Sequence, residues 1–125
     1  MRVKFRAEIT GQGALALEFL KDAEMNFLIL FNENAPPELA EISILHKPSE
    51  IFEIPQRGDM LLIGEKAFEV TAVGDEAVHT LQNLGHCTIS FKGGNIAERP
   101  GMIMVQGDEK LLPADLCVGT AIEIH

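Results

Sequence analysis

The sequence predicts a mainly β fold: a compact, barrel-like domain, closed or partly open, with one clear helix at about 75–84 and one or two short helical turns. Three observations carry this. Short stretches such as Val3–Ile9 alternate apolar with polar residues, the period of a half-buried strand. Turns rich in Gly and Pro separate these stretches along the whole chain, as in barrels and sandwiches. Only the segment from Asp75 to Gly85 sets a helical apolar stripe between a capping residue and a terminating glycine.

The elements follow in order. Val3, Phe5, Ala7 and Ile9 alternate with Lys4, Arg6, Glu8 and Thr10, giving a first strand that Gly11 and Gly13 break. Ala14 to Leu20 suits a short helix with Leu15, Phe19 and Leu20 inward. Phe27 to Phe31 is a continuous apolar run and reads as a central strand. Asn34-Ala35-Pro36-Pro37 is a loop, and Pro37 can start a helical turn. Ile42 to His46 is a short strand stopped by Pro48. Met60–Ile63 and Lys66–Val73 form a hairpin about Gly64-Glu65. Asp75 then caps the helix, whose buried stripe is Ala77, Val78, Leu81 and Leu84. Cys87–Phe91, Met102–Val105 and Thr120–Ile124 are further strands, and no internal repeat is visible.

A chain of 125 residues is one domain on size grounds, 1–125, and large enough for a real core. Ten basic against 19 acidic residues leave a net charge of −9. That surface repels phosphate backbones, so nucleic acid is disfavoured and a basic protein partner favoured. Cys87 and Cys117 sit among apolar neighbours and read as small buried hydrophobes in a reducing compartment, although sequence leaves a disulfide open. No apolar run is long enough to span a bilayer, and the first residues lack a signal-peptide pattern, so a cytoplasmic protein without membrane insertion is expected.

Gly11-Gln12-Gly13-Ala14-Leu15-Ala16 spells G-x-G-x-x-A, with Glu33 about twenty residues on, and mimics a dinucleotide fingerprint. A doubly wound domain needs a helix between successive parallel strands, and too few helices follow Phe31. Of the four histidines, His79 is expected to be solvated and His125 mobile. His46 and His86 stand at strand ends beside Pro48 and Gly85, where side chains are held by the sheet yet exposed at its rim. Such positions suit chemistry, but they also suit, and more often serve, capping a strand or satisfying a buried acceptor. Metal binding finds no H-x-H or H-E-x-x-H spacing, and no G-x-S-x-G element supports a hydrolase.

The strings Val70-Thr71-Ala72-Val73-Gly74 and Asn83-Leu84-Gly85-His86-Cys87-Thr88 add a resemblance, as do the Pro100-Gly101 step and the Ala35-Pro36 loop before Ile44-Leu45-His46. Over nearly its whole length the chain resembles the glucitol/sorbitol-specific enzyme IIA component of the bacterial phosphoenolpyruvate-dependent sugar phosphotransferase system. The resemblance implies a cytoplasmic phosphoryl carrier without metal or organic cofactor. It would accept the group from the small carrier HPr on one histidine and pass it to the IIB domain of the membrane-bound IIB/IIC permease. By position after the Ala-Pro loop, that histidine corresponds to His46. The family can show a second histidine just downstream, where this chain has Lys47-Pro48.

An imidazole suits the role, because its unperturbed pKa of about 6.5 leaves a neutral nitrogen near neutral pH. His46 is expected to attack through Nε2 with Nδ1–H held by an acceptor. His86 is expected to steady the phosphoryl oxygens, and Thr88 is a weaker candidate for a further donor. Two rivals stand: a regulatory or small-ligand-binding barrel in which the histidine no longer turns over, and the dinucleotide-binding domain. A homodimer is also open, because an unclosed barrel would leave a free sheet edge.

Overall fold

The computed structural model describes residues 2–125. Eight strands close into a barrel: β1 (Phe5–Gln12), β2 (Phe27–Asn32), β3 (Ile44–His46), β4 (Met60–Ile63), β5 (Lys66–Val73), β6 (Cys87–Ser90), β7 (Met102–Gln106) and β8 (Ala121–Ile124). Three helical segments, α1 (Glu18–Lys21), α2 (Pro37–Ala40) and α3 (Ala77–Leu84), and a 3-10 turn at Pro113–Leu116 lie among them.

The strands follow around the barrel in the order β1-β3-β2-β6-β7-β5-β4-β8. Two pairs are parallel, β2 with β3 and β6 with β7, and the rest are antiparallel. Alternation puts Ile9, Leu28, Leu30, Ile44, Leu61, Ile63, Val70, Ile89, Ile103, Val105 and Ile122 into one interior core. Among the described residues, closure leaves no free sheet edge of the kind an open barrel would offer for dimerisation.

The ring has an internal two-fold pattern that the sequence hides. Exchanging β1 with β5, β2 with β6, β3 with β7 and β4 with β8 returns the same set of neighbours. The local details repeat as well. Bulges interrupt β1–β3 between Ile9 and Gly11, and β5–β7 between Val70 and Ala72. Asn26 and Gly85, each just before the strand that leaves a helical segment, have positive φ of 47° and 63°. Gly119 donates to Ile9 O at 2.8 Å as Gly58 donates to Val70 O at 2.8 Å. Few side chains are shared between the halves, because interior positions ask only for apolar volume. The repeat is one of strand order, not of sequence.

This pattern accounts for Gly13. A Cβ there would collide with the Ala40 and Glu41 carbonyls of the crossover between β2 and β3, and a Cβ at Gly74 would collide with Pro100 in the matching crossover. Gly13 thus serves close backbone approach rather than a cofactor, whereas a Cβ at Gly11 would meet only the Leu45 side chain at 4.0 Å. β1 is antiparallel to both of its neighbours, and α1 is a single turn, so the dinucleotide-binding reading is overturned.

Other local expectations are corrected. β1 continues through Gly11, because the bulge absorbs it. The first helical turn covers only Glu18–Lys21, and Ala16 is buried while Leu15 is exposed. α3 starts at Ala77 with Glu76 at its N-cap and no side-chain cap, so Asp75 does not cap it. Of its expected stripe Ala77 and Leu81 are buried, Val78 is half-buried and Leu84 is 47% exposed. A two-turn helix on a curved barrel wall presents only a narrow line of contact, which these two residues fill.

Candidate functional site

His46 ends β3 at one mouth of the barrel. It shares a face with Ile44 two residues earlier, so its ring points inward and is fully buried. The expectation of a histidine exposed at the sheet rim is therefore corrected. The interior is still open to a polar ring at this level because backbone carbonyls reach both nitrogens. Nδ1 lies 2.8 Å from Lys47 O, and Nε2 lies 2.8 Å from Gly85 O. Phe5 packs edge-on against the ring, with centroids 6.2 Å apart.

Both partners are acceptors, and a neutral imidazole has one N–H. It can donate to only one of the two carbonyls. With the proton on Nδ1, the Lys47 contact is a hydrogen bond and the Gly85 contact sets a lone pair against a carbonyl oxygen. With the proton on Nε2 the two roles are exchanged, and both contacts are hydrogen bonds at once only when the ring carries two protons.

Gly85 is the lid of this arrangement. It ends α3 in the left-handed region at φ 63°, where glycine is favoured, and its N–H caps the helix by donating to Leu81 O at 3.0 Å. A Cβ on Gly85 would stand 2.5 Å from Asn32 Cγ and 2.7 Å from His46 Cε1. Both side chains therefore lie directly beneath this residue.

Asn32 was not among the residues singled out from sequence. It ends β2, and the parallel register pairs its Cα with that of His46, so the two side chains emerge side by side on one face. Its Oδ1 is buried and has no hydrogen-bond donor among the described residues. Only the strand pairing reveals this neighbour. A sequence signal existed only in that Asn32 interrupts the apolar run of β2.

His86 is on the other side of the wall. Cys87 faces the core, so the alternating neighbours His86 and Thr88 face outward. The His86 ring packs on Phe31 at 4.7 Å and its Nδ1 lies 3.1 Å from Leu30 O. Thr88 sits between Ile29 and Met102 in the sheet. The structure thus brings Asn32 and Gly85 to His46, and places His86 and Thr88 across the barrel wall from it. His86, the residue after Gly85, is tied instead to β2 through Leu30 O and Phe31.

The remaining candidates are separate. His79 is exposed, near Asn83. His125 Nε2 is 2.6 Å from Glu123 Oε1 at the far end of β8. Cys87 is buried and Cys117 exposed, and both are free, which corrects the expectation of two buried thiols. Burial pushes the Cys87 thiol up to about 12, far from the range of a nucleophile. Among the described residues no group of three or more His, Cys, Asp or Glu is placed to hold a metal ion, and no helix is long and apolar enough to cross a membrane.

Known proteins match this chain along its length. The family model for the PTS system glucitol/sorbitol-specific IIA component matches residues 4–123. The PTS system glucitol/sorbitol-specific EIIA component of Escherichia coli (strain K12) is 36% identical over 125 residues, covering 100% of this chain and 97% of the relative. The protein of the same description from Shigella flexneri is also 36% identical over the same shares. Among solved structures, the PTS system IIA component from Enterococcus faecalis V583 superposes with a TM-score of 0.72 at 24% identity, covering 94% of this chain and 96% of that one, which supports the fold.

Proposed function

The chain belongs to the family of glucitol/sorbitol-specific IIA components of the phosphotransferase system, and on that premise we propose that it carries its phosphoryl group on Nε2 of His46. Membership makes it a phosphotransferase component with a carrier role in sugar uptake. The donor is phospho-HPr and the acceptor the IIB domain of the permease, with the carrier itself in the cytoplasm.

The observation that carries the reading is the clamp on His46. Both ring nitrogens lie 2.8 Å from a carbonyl oxygen, which fixes the ring; in the tautomer proposed here Nδ1–H donates to Lys47 O and the lone pair on Nε2 faces the turn that covers it. In the transfer, this lone pair attacks phosphorus as the N–P bond of the donor phosphohistidine breaks. The departing imidazole keeps the electron pair, and His46 keeps its Nδ1 proton. Positioning rather than covalent assistance is what such transfers require.

The Gly85 carbonyl must leave before phosphorus can approach. The neutral ring with its proton on Nδ1 makes no hydrogen bond to it, so the nucleophilic tautomer is also the one that releases the turn. His86 takes a different role from the one expected: its contacts to Leu30 O and Phe31 hold the residue after Gly85 against β2 and so anchor one end of the turn. Exposed Leu84 beside Gly85 offers an apolar contact for a docking partner, and the net charge of −9 steers a donor with a basic rim.

The test is intact-mass analysis after incubation with phosphoenolpyruvate, enzyme I and HPr. The wild type should gain one acid-labile phosphoryl group, and His46→Val should gain none while staying folded. Unmodified wild type, or a fully modified His46→Val, would overturn the proposal.

A further inference from the structure

We propose that Asn32 binds the transferring phosphoryl group, its Nδ2–H donating to a phosphoryl oxygen when that group sits on His46 Nε2. The inference rests on the carrier reading above and adds a residue to that site. Three observations support it.

The first is position. Asn32 and His46 are paired across parallel strands, and the same Gly85 backbone lies over both side chains. Whatever displaces the Gly85 carbonyl from His46 enters the space beside the Asn32 carboxamide. The second is the buried Oδ1, which has no donor among the described residues. A polar atom left in that state is not explained by the resting structure. Movement of the Gly85 turn would open it to water in the same step that exposes Nε2.

The third is an internal control supplied by the two-fold pattern. β3 and β7 correspond as Ile44 to Ile103, which sets His46 against Val105. β2 and β6 correspond as Leu30 to Ile89, which sets Asn32 against Phe91, and Gly85 corresponds to Asn26. At the opposite mouth Val105 is fully buried and Phe91 packs on Phe68 at 5.1 Å. There the Asn26 carbonyl simply accepts the Phe91 N–H at 3.0 Å. The same backbone closes with apolar side chains at these places, so neither polar residue is demanded by the barrel. At one mouth both have been made polar together, and the covering carbonyl meets the histidine ring.

The chemistry of the amide fits. A phosphoryl group spreads its charge over the equatorial oxygens, and a neutral, fixed N–H donor stabilises that charge as the bond to Nε2 forms. A carboxylate of the same shape would repel it.

The experiment measures initial transfer from phospho-HPr to wild type, Asn32→Ala and Asn32→Asp over a range of phospho-HPr concentrations, with urea midpoints of all three. At saturating donor, Asn32→Ala should be slower by about tenfold or more and Asn32→Asp slower still, with KM unchanged. The midpoint of Asn32→Ala should equal or exceed that of the wild type, since it loses an unpaired buried acceptor. Wild-type rates in both variants, a change confined to KM, or rate losses that track lowered midpoints would overturn the assignment. Absence of transfer to the wild type would instead overturn the carrier reading beneath it.

Discussion

Replacing Gly85 by alanine should be costly for two separable reasons. The residue sits at φ 63°, and a Cβ in the left-handed region costs about 1–2 kcal/mol. That Cβ would also stand 2.5 Å from Asn32 Cγ and 2.7 Å from His46 Cε1, well inside contact distance. His46 does not yield freely, since it is fully buried between two carbonyls. Overpacking of this kind costs about 1–3 kcal/mol, so the total loss should be about 2–5 kcal/mol. With a urea slope of about 2 kcal/mol/M, equilibrium unfolding resolves that as a midpoint shift of about 1–2.5 M. The packing part should be recovered selectively. Removing the Asn32 side chain in the double variant should restore about 1 kcal/mol or more relative to additivity. Asn26→Ala, at the corresponding position with φ 47°, provides a check on the backbone part. A loss below about 1 kcal/mol in Gly85→Ala, or strict additivity with Asn32→Ala, would refute the account of a turn seated on both side chains.

Three further outcomes follow from the same structure. Burial pushes the Cys87 thiol up to about 12 while Cys117 is exposed, so a thiol reagent at about pH 8 should label one cysteine in folded protein and the second only after unfolding; two fast labels would contradict the packing. Asp115 is held below its ordinary 3.8 by the Lys66 ammonium 2.8 Å away and then by the Leu112 N–H. Its contribution is therefore complete above about pH 4 and is lost as pH falls through the folded-state value, so stability curves of wild type and Asp115→Asn should converge in acid; parallel curves would contradict this. Association with phospho-HPr should weaken as salt rises, because the net charge of −9 acts at long range, and a salt-independent on-rate would count against steering.

Much of the barrel was legible because strand periodicity survives without knowledge of partners. The hairpin about Gly64-Glu65, the turn begun by Pro37 and the strand that ends at His46 all stand where apolar alternation and turn residues put them. The α3 boundary was misread at Asp75, since a favourable capping residue is only an option that tertiary packing can decline. The two-fold order of the strands was hidden because pairing register is a property of topology. The candidate site was legible only in part for the same reason. Strand-end position singles out His46 and His86 alike and only the family resemblance points to His46, while its burial between Lys47 O and Gly85 O is set by the folded barrel and the turn after α3. Asn32 lies 14 positions away from its neighbour His46 and becomes visible through the parallel register alone. His86 looked like a partner because it is close to the turn in sequence, and one step of strand alternation carries it to the outer face.

The central claim is a phosphoryl group on Nε2 of His46, with Nδ1 still protonated. Nuclear magnetic resonance of histidine-labelled protein, phosphorylated through phospho-HPr, reads both facts at once. Phosphorus coupling should appear at Nε2 of His46, and the Nδ1 proton should persist in its bond to Lys47 O. Coupling at His86, or at Nδ1 of His46, would contradict the account.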